Sequence, residues 1–385
     1  MLSGVRVVLG VCGSIAAVRT VELAHELRRQ GADVTAVMSS SATDIIHSNA
    51  LAFATDREVV TDLTGAIEHV ALCGTDGWGD VFVVAPATAN TIGKIAGTID
   101  DTPVTTCATT AIGAGMPIVI APAMHEPMYD HPGIDAAIDQ LRDWEIDFVD
   151  PRIEEGKAKI AAHDDIVTAV ARATSSEPLA GTTVVVTSGP TTEAIDPVRI
   201  LTNRSSGRMG RAIARACYVL GADVELIHDG PAVPYASVTD VTTAAEMRAA
   251  AIERAPEADA LISAAAIGDF DIESSPTKLD SGRSHTVTLE PTPKVIDAVR
   301  EVAPSLRIVV FKAGTGRDQD LETAAADLQE RVDAVFVVAN EVSVMGSATT
   351  AVTIVDGDDL IALDGTKADV AMRIVERLAS HLGTK

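Results

Sequence analysis

Short runs of apolar, largely β-branched residues alternate along this chain with longer stretches that have an amphipathic helical pattern. The first run, residues 5–9, precedes a helical pattern that reaches about Gln30, and a second run follows at residues 34–38. The same order returns at residues 182–186, where an apolar run leads through a loop to a helical pattern at residues 211–220. Alternating strands and helices predict parallel sheets. Two such openings therefore predict two doubly wound, Rossmann-like α/β domains with mainly parallel sheets.

Further continuous apolar runs predict the remaining strands, because strands of a parallel sheet are covered on both faces. These runs are residues 81–85, 118–121, 260–263, 308–311 and 335–338. The polar stretch 271–285 interrupts the second series of strands, and we interpret it as a mobile lid that carries Lys278. An amphipathic pattern over residues 367–382 predicts a C-terminal helix.

The predicted strands fall into two sets, and each set predicts a domain of its own. We expect a first domain at residues 1–172, a linker of small and polar residues at 173–180, and a second domain at 181–385. A length of 385 residues agrees with two hydrophobic cores. Gly and Pro interrupt the longest apolar region, residues 108–124, so no membrane span is predicted.

Acidic residues dominate the charge of the chain, with 55 Asp and Glu against 30 Lys and Arg and a net charge of −25. This balance argues against nucleic acid or an anionic membrane as a partner, and it suggests adaptation to a salty cytoplasm. The four cysteines lie far apart, and no two of them form a C-x-x-C motif, so neither a disulfide framework nor a zinc site is predicted. No signal peptide precedes the first strand, and we expect a cytoplasmic protein.

The most distinctive stretch, residues 187–210, connects a predicted strand to a predicted helix. It is a long loop at the carboxyl end of a strand, where open α/β sheets bind ligands. It combines guanidinium groups with small residues that let a backbone approach phosphate oxygens. These residues are Arg199, Arg204, Arg208, Ser205, Ser206, Gly207 and Gly210, and Arg211 follows directly after the stretch. In so acidic a chain, this composition predicts an anion-binding site.

Residues 187–210 also resemble the ligase signature T-x-G-x-T-x-E-x-I-D-P-V-R-x-x-x-N-x-S-S-G-x-M-G. This signature belongs to the bifunctional phosphopantothenoylcysteine decarboxylase/phosphopantothenate–cysteine ligases of coenzyme A biosynthesis. The resemblance implies that CTP activates 4′-phosphopantothenate as an acyl-cytidylate, which cysteine then attacks. A triphosphate implies Mg²⁺, for which the sequence indicates no protein ligands. The choice between CTP and ATP stays open, because the basic residues of the family align poorly here and Arg331 is the nearest.

The resemblance implies roles for individual residues of the second domain. Asn203 would stabilise the acyl-nucleotide, Arg199 would lie near the substrate carboxylate, and Lys278 would reach the triphosphate. These three are the predicted catalytic residues of this domain. The predicted substrate-binding residues are Gly189, Ser206, Gly207, Asp269, Pro293, Lys294, Val295, Ile296 and Phe311.

The first domain resembles the flavoprotein cysteine decarboxylases in three motifs, at residues 13–17, 86–91 and 122–128. The resemblance implies an FMN site, with the flavin as electron sink. His69 would be the catalytic residue, and Met124 and His125 would bind the substrate. The predicted FMN-binding residues are Gly13, Ser14, Ser39, Ala87, Thr88, Ala89 and Asn90.

Two departures from the family pattern concern the decarboxylase. His125 stands where many relatives have Asn, although an imidazole can also donate a hydrogen bond to a carboxylate. The stretch 151–163 contains no Cys, whereas bacterial relatives carry a proton-donating Cys there. The groups that could replace this thiol are Lys157, Lys159, His163, Cys73 and Cys107.

Two other classes of protein share parts of this sequence pattern. A flavin-binding regulatory protein without decarboxylase turnover is the alternative, since flavoprotein-decarboxylase domains resemble such regulatory subunits. A dinucleotide-dependent oxidoreductase is disfavoured, because residues 10–13 do not match G-x-G-x-x-G. The resemblance also implies a homo-oligomer, with trimer-based flavin sites and dimeric ligase domains.

Overall fold

The computed structural model describes residues 1–314, 318–341 and 349–383, with the backbone alone described at 318–320 and 341. The chain divides into two compact units, residues 1–175 and residues 176–385. Each unit contains a mainly parallel sheet with helices packed against it. The predicted α/β class with two doubly wound sheets is therefore confirmed.

The first unit is organised around a parallel sheet. Its strands are β1 (Arg6–Val11), β2 (Asp33–Met38), β3 (Val81–Ala87), β4 (Ile118–Pro122), β5 (Met124–His125), β6 (Asp147–Phe148), β7 (Arg152–Glu154) and β8 (Lys157–Lys159). Five of them form the parallel sheet in the order β2-β1-β3-β4-β6, and β5, β8 and β7 form a small antiparallel sheet. The strand order reverses between β1 and β3, so a crevice is expected outside their carboxyl ends.

Helices cover this sheet, and threonines begin two of them. The helices are α1 (Thr20–Arg29), α2 (Ser40–Thr43), α3 (Ser48–Thr55), α4 (Glu68–Cys73), α5 (Ala89–Ala96), α6 (Pro103–Ala114), α7 (Glu126–Tyr129), α8 (Pro132–Asp143) and α9 (His163–Ala173), with a 3₁₀ turn at Ile15–Arg19. The Thr88 hydroxyl accepts from the Thr91 N–H and begins α5. Thr102 and Thr105 form a capping box at the start of α6.

The second unit contains a larger sheet. Its strands are β9 (Thr183–Thr187), β10 (Thr192–Ala194), β11 (Ile200–Thr202), β12 (Asp223–His228), β13 (Ser237–Asp240), β14 (Ala260–Ser263), β15 (Phe270–Asp271), β16 (Glu290–Pro291), β17 (Arg307–Gly314), β18 (Phe336–Glu341), β19 (Thr349–Asp356) and β20 (Asp359–Thr366). The eight-stranded sheet has the order β13-β12-β9-β14-β17-β18-β19-β20 and is parallel as far as β18. Its switch point lies between β9 and β14.

Both faces of the second sheet are buried. Its helices are α10 (Arg208–Val219), α11 (Ala244–Arg254), α12 (Val295–Val302), α13 (Asp318–Val332) and α14 (Lys367–Leu382), with a 3₁₀ turn at Ala255–Glu257. Along β9, Val184 and Val186 belong to one apolar cluster and Val185 to the other. Alternate residues of a strand point to opposite faces, so this continuous apolar run serves two cores.

Three features of the fold differ from the sequence-based expectations. The antiparallel strands β19 and β20 follow the last parallel strand and were not predicted. The long connection 187–210 contains its own hairpin, formed by β10 and β11. The expected lid, residues 271–285, is tied at its base by the pairing of β15 with β16.

Candidate active sites

A cleft of about 680 Å³ opens in the first unit where β1, β3 and β4 end. Ser14 connects two of its walls, because its Oγ accepts from the Ala16 N–H at 3.3 Å and donates to the Ala123 carbonyl at 3.3 Å. A Cβ on Gly13 would lie 2.4 Å from the Ser41 Oγ. Only glycine therefore lets this turn lie against Ser41, which makes a narrow polar cradle at the end of β1.

Ser41, and not the predicted Ser39, lines this cradle. Ser39 is buried beneath it, where its hydroxyl lies 3.1 Å from the Ser41 Oγ and 3.5 Å from the Val11 carbonyl oxygen. The sequence indicated a hydroxyl after β2. It could not show that the first turn of α2 brings the third serine of the run to the cleft.

The predicted flavin motif at residues 87–90 is divided between the cleft and the core. Thr88 and Asn90 line the cleft, whereas Ala87 and Ala89 are buried. Ala87 instead joins the ends of two strands, because its carbonyl accepts from the Ala123 N–H at 2.9 Å. Cys12 lies below this motif, and burial raises its pKa to about 11 despite hydrogen bonds with Thr91 and Thr88.

The far wall of the cleft is the small antiparallel sheet. Met124 and His125, the predicted substrate-binding residues, line it, and His125 lies opposite Lys157 in the strand register. Among the candidates for the missing thiol, Lys157 and Lys159 line the cleft. The described cleft-lining residues include neither His163 nor the predicted alternatives Cys73 and Cys107, and both cysteines are buried in the core.

His69, the predicted catalytic residue, lies on α4 and is not among the residues that line the cleft of its own chain. Helix α4 packs against α6 rather than against the strand ends that form the cleft. The Nδ1 atom of His69 is buried and makes no hydrogen bond within the described part of the chain. The motif indicated a reactive imidazole, and the structure places it at a second location on the unit.

The second unit has a narrower pocket, of about 110 Å³, above the carboxyl ends of β14, β17 and β18. The pocket is lined by Ser205, Ser206, Gly207, Arg208, Met209, Ala264, Ala265, Ala266, Phe311, Ala313, Asn340, Thr350, Val352 and Lys367. The predicted residues Ser206, Gly207 and Phe311 thus come together. No group of three or more His, Cys, Asp or Glu side chains in the described residues could hold a metal ion.

Glycines let the long loop 187–210 fold tightly beside this pocket. Gly189 and Gly207 both have positive φ, and a Cβ on Gly207 would lie 3.0 Å from the Gly189 Cα. A Cβ on Gly210 would lie 2.4 Å from the Ser188 Cβ. The Ser188 hydroxyl donates to the Gly207 carbonyl at 3.0 Å. The loop after β9 therefore packs directly on the N-terminus of α10.

Asn203 connects this loop to the neighbouring strand end. Its Nδ2 donates to the Ala266 carbonyl at 2.8 Å, although the side chain remains exposed. Because Ala266 lines the pocket, Asn203 lies beside the pocket rather than within its lining.

Arg199, which was predicted to lie near the substrate carboxylate, contacts a carboxylate of the protein and is not among the described residues that line the pocket. Its guanidinium pairs with Asp196 and donates to the Leu279 carbonyl at 3.2 Å. Burial alone would raise the pKa of Asp196, but N–H groups of Leu279, Val198 and Arg199 and the guanidinium outweigh it and hold the pKa well below its usual range. The charge of Arg199 is therefore committed to a protein carboxylate, and the contact anchors the expected lid at Leu279.

Asp269 and Lys278, which were predicted to bind substrate and to reach the triphosphate, lie in different surroundings. Asp269 pairs with Lys294 at 2.6 Å, and Lys278 is exposed without a hydrogen bond or ion pair to any described residue. In the predicted stretch 293–296, Pro293 is exposed, whereas Val295 enters the core and Ile296 packs against it. A sequence motif cannot show which of its side chains a helix turns inward.

The arginines near the pocket do not form one cluster. Arg208 lines the pocket, whereas Arg211 donates to the Ser206 carbonyl at 3.0 Å and Arg204 is exposed. Outside this loop, Arg331 pairs with Asp297 at 2.9 Å. The predicted concentration of guanidinium groups therefore contributes one side chain to the lining.

The second cation of the pocket, Lys367, was missed. It is the first residue of α14, and burial, with the charge of Arg208, lowers its pKa. Two neighbouring cations in a narrow pocket create a strong preference for an anion. The only signal in the sequence was a lysine at the start of the predicted C-terminal helix, because its approach depends on the unpredicted strands β19 and β20.

Two family models match the chain, one for each unit. The model described as Flavoprotein matches residues 1–175, and the model described as DNA/pantothenate metabolism flavoprotein C-terminal domain matches residues 179–382. Together with a cleft at the carboxyl edge of each sheet, these matches define a two-domain flavoprotein.

The curated relatives give the family. The chain is 46% identical to the coenzyme A biosynthesis bifunctional protein CoaBC of Thermococcus kodakarensis, with 99% of this chain and 96% of the relative covered. The proteins of the same name from Methanocaldococcus jannaschii and Bacillus subtilis are 36% and 33% identical, with 98% and 99% of this chain and 94% and 98% of the relatives covered. The chain therefore belongs to the CoaBC family, as predicted. It is a bifunctional enzyme of coenzyme A biosynthesis that uses a flavin, and its two activities are those of a decarboxylase and a ligase.

None of the helices within the described ranges is long and apolar enough to cross a lipid bilayer.

Proposed function

We propose that the two units catalyse consecutive steps of coenzyme A biosynthesis. In the second unit, CTP would activate 4′-phosphopantothenate as an acyl-cytidylate for attack by cysteine. In the first unit, the product would be decarboxylated with FMN to 4′-phosphopantetheine. The observation that carries this proposal is that each sheet has its own cleft, and that cations line both clefts in a chain with a net charge of −25.

In the ligase unit, the paired cations would offset the repulsion between two anionic reactants. Arg208 and Lys367 would contact the nucleotide phosphates, together with N–H groups at the start of α10. Phe311 would pack against the base, and Asn203 would stabilise the acyl-cytidylate from the pocket rim. Lys278 would approach from the segment that Arg199 anchors. Arg199 would thus be a positioning residue, and Mg²⁺ would enter with the triphosphate.

The cleft of the first unit fits a flavin mononucleotide. Its volume lies in the usual range for small-molecule sites, about 300–1,000 Å³. Gly13, Ser14 and Ser41 would hold the phosphate in the cradle that a Cβ would fill, and Thr88 and Asn90 would contact the isoalloxazine. When bound, FMN supplies the electron acceptor for the decarboxylation.

Substrate for the decarboxylase would enter from the side of the small antiparallel sheet. His125 would donate a hydrogen bond to the substrate carboxylate, because it lines the cleft and is exposed. Met124, half-buried beside it, would supply an apolar contact.

A second copy of the chain would complete this site by supplying His69. This imidazole lies outside the cleft of its own chain, and the exposed apolar residues Ile67 and Val70 flank it. Ile15 at the cleft and Phe53 are each 79% exposed. Such side chains are suited to a contact between copies. We accordingly propose a homo-oligomer that works in the cytoplasm, where coenzyme A precursors would be available.

The function is tested with the purified full chain. We expect a yellow protein that releases FMN, and that forms CMP, pyrophosphate and CO₂ from 4′-phosphopantothenate, cysteine and CTP. ATP in place of CTP tests the nucleotide. Asn203→Ala should stop amide formation but spare decarboxylation of supplied phosphopantothenoylcysteine, and His69→Asn should do the reverse. Bound FMN without CO₂ release would instead indicate a flavin-binding regulatory protein.

A further inference from the structure

The cleft of the first unit has an unusual charge for this chain. Acidic residues account for 55 of the 385 residues, yet no Asp or Glu is among the described residues that line the cleft. Four cationic side chains do line it, Arg19, Arg152, Lys157 and Lys159. Three of these belong to one small hairpin, β7 and β8. A local reversal of the overall charge indicates selection for an anionic ligand.

The geometry of this hairpin places its cations together. Glu155 and Gly156 form its two-residue turn, and both have positive φ, as in the turns that match the twist of a hairpin. In the register, Arg152 lies opposite Lys159, and Lys157 lies between His125 of β5 and Glu154 of β7. Because paired residues and alternate residues of a strand share a face, the three cations lie on one face of the small sheet together with His125 and Glu154.

The three cations of the hairpin differ in their partners. Arg152 and Lys159 both contact Glu154, at 3.2 Å and 3.1 Å, and Lys159 also contacts Glu155 at 2.9 Å. Lys157 lines the cleft, and its ammonium group makes no hydrogen bond or ion pair to any of the residues that the structure describes, although its charge acts on the nearby Glu155. The ammonium group of Lys157 is therefore available to a ligand, with two further positive charges nearby.

The proposed reaction defines which anion can reach this group. The FMN phosphate has its own cradle at Gly13 and Ser14, and the substrate carboxylate has His125. The substrate carries one more anionic group, a phosphomonoester at the opposite end from the reacting cysteine. We propose that Lys157, supported by Arg152 and Lys159, binds this phosphomonoester and selects phosphorylated substrates. The inference rests on the proposed decarboxylase function and names the part of the substrate that the hairpin recognises.

The test compares two substrates that differ only in the phosphate. The flavin-loaded full chain is supplied with phosphopantothenoylcysteine or with pantothenoylcysteine, without nucleotide, and CO₂ release is measured. Lys157→Gln should lower kcat/KM about tenfold to a hundredfold for the phosphorylated substrate, mainly through KM, as expected for the loss of one charge-assisted hydrogen bond. Turnover of pantothenoylcysteine should change little. Lys157→Arg should restore most of the preference for phosphate.

A control and a binding measurement accompany the kinetics. Lys94→Gln removes a lysine that pairs with Asp101 and does not line the cleft, and it should leave both substrates unaffected. Titration with 4′-phosphopantetheine and with pantetheine, followed by flavin absorbance, should show weaker binding of the phosphorylated compound alone in Lys157→Gln.

Two results would overturn the inference. An equal loss of kcat with both substrates would make Lys157 a proton donor instead, and unchanged kinetics in Lys157→Gln would exclude any role. If the unaltered enzyme releases CO₂ from neither substrate, the proposed function fails together with the inference, whereas CO₂ release without discrimination overturns the inference alone.

Discussion

The two units build ligand sites at the same kind of sheet edge, but they handle charge differently. In the first unit, the edge is an open cleft of about 680 Å³, and three of its four cations lie on an exposed hairpin. In the second unit, α10, β19 and α14 reduce the space to about 110 Å³. Here Arg208 and Lys367 lie close enough for one to lower the pKa of the other.

This difference has an energetic meaning. Exposed cations on a hairpin are well solvated, so they cost little in the absence of a ligand and gain little from neighbours. Two cations in a narrow pocket repel each other and lose hydration, so part of their cost is recovered only when an anion enters. We expect the second unit to be the more sensitive to substitution near its site and to pH.

The largest effect is expected from Gly210→Ala, at the start of α10. Its Cβ would lie 2.4 Å from the Ser188 Cβ, so the loop after β9 must move. Ligation should fall more than about a hundredfold, and the free energy of unfolding of the second unit should fall by about 1–3 kcal/mol. Pyrophosphate release and far-UV circular dichroism measure the two effects.

The matched control is Gly113→Ala in α6, where a Cβ would meet nothing within 4 Å. This exposed helical position should gain about 0.5–1 kcal/mol. Both tryptophans, Trp78 and Trp144, lie in the first unit, so their fluorescence follows that unit alone. Normal ligation by Gly210→Ala would contradict the close packing of loop and helix.

A smaller effect is expected from Lys367→Ala, which should lower kcat/KM for the nucleotide about tenfold to a hundredfold. Burial and Arg208 lower the pKa of Lys367, so its ammonium loses its proton at a lower pH than an ordinary lysine. Ligation should therefore fall on the alkaline side of the pH profile. Lys367→Arg keeps the charge and should move this limb to higher pH. An unchanged limb would show that Lys367 does not act as a cation in the reaction.

A moderate effect on stability is expected from one histidine in each unit, the buried His228 and the half-buried His163. Burial, and to a smaller extent the charge of Arg211, lowers the pKa of His228. These effects outweigh the hydrogen bond with the Pro231 backbone and the charges of Asp240 and Asp229, which raise it. His228 therefore takes up a proton near its ordinary pKa of 6.5 in the unfolded chain, but only at lower pH in the folded unit. Stability is thus full above this pH and falls as the pH drops below it. The thermal midpoint of the second unit should decrease by a few degrees between about pH 7 and pH 5.

His163 provides the same comparison in the first unit. Burial and the charge of Arg19 lower the pKa of His163. They outweigh the opposite effect of the three carboxylates nearby, Glu22, Glu26 and Asp164. Tryptophan fluorescence follows the first unit alone, whereas circular dichroism follows both units. His163→Gln should therefore flatten the pH dependence of the fluorescence transition, and His228→Gln should flatten that of the circular dichroism transition without changing the fluorescence transition. The exposed His131 serves as control, since His131→Gln should flatten neither. If His228→Gln flattened the fluorescence transition as well, the units would not unfold independently.

The smallest effect is expected from Arg331→Gln. The side chains of Arg331 and Asp297 are 53% and 49% exposed, and exposed ion pairs contribute less than about 1 kcal/mol. The KM for nucleotide should not change, because Arg331 is not among the residues lining the pocket. A raised KM would restore the role that the sequence alone suggested for this residue.

The central parallel strands could be predicted because each is a continuous apolar run that two cores require, whereas the short edge strands β6 and β13 contain polar residues and were not predicted. The run at residues 182–186, for example, corresponds to β9 at Thr183–Thr187. Strand β19 escaped prediction because its burial alternates, with Thr349 and Ala351 exposed and Thr350 and Val352 buried. Such a strand lacks the continuous apolar pattern. Because β19 was not predicted, the approach of Lys367 to the pocket could not be predicted either.

The candidate site residues could be predicted as far as local sequence determines them. Gly13, Ser14 and Thr88 follow directly from strand ends, and they line the cleft. The partners of Arg199 and Lys294 depend on Asp196 and Asp269, which a motif does not identify as competitors for their charge. His69 depends on where α4 packs, which is a tertiary contact that no spacing encodes.

The burial of all four cysteines has a practical consequence for labelling. A thiol reacts as its thiolate. Burial raises the pKa of both Cys12 and Cys217, so little thiolate forms at either residue. Alkylating dyes should consequently modify the folded chain only when a unit opens. A cysteine introduced on the exposed turn at Glu155 would then be labelled selectively, and a fluorophore there would report movement of the hairpin without removal of any native thiol.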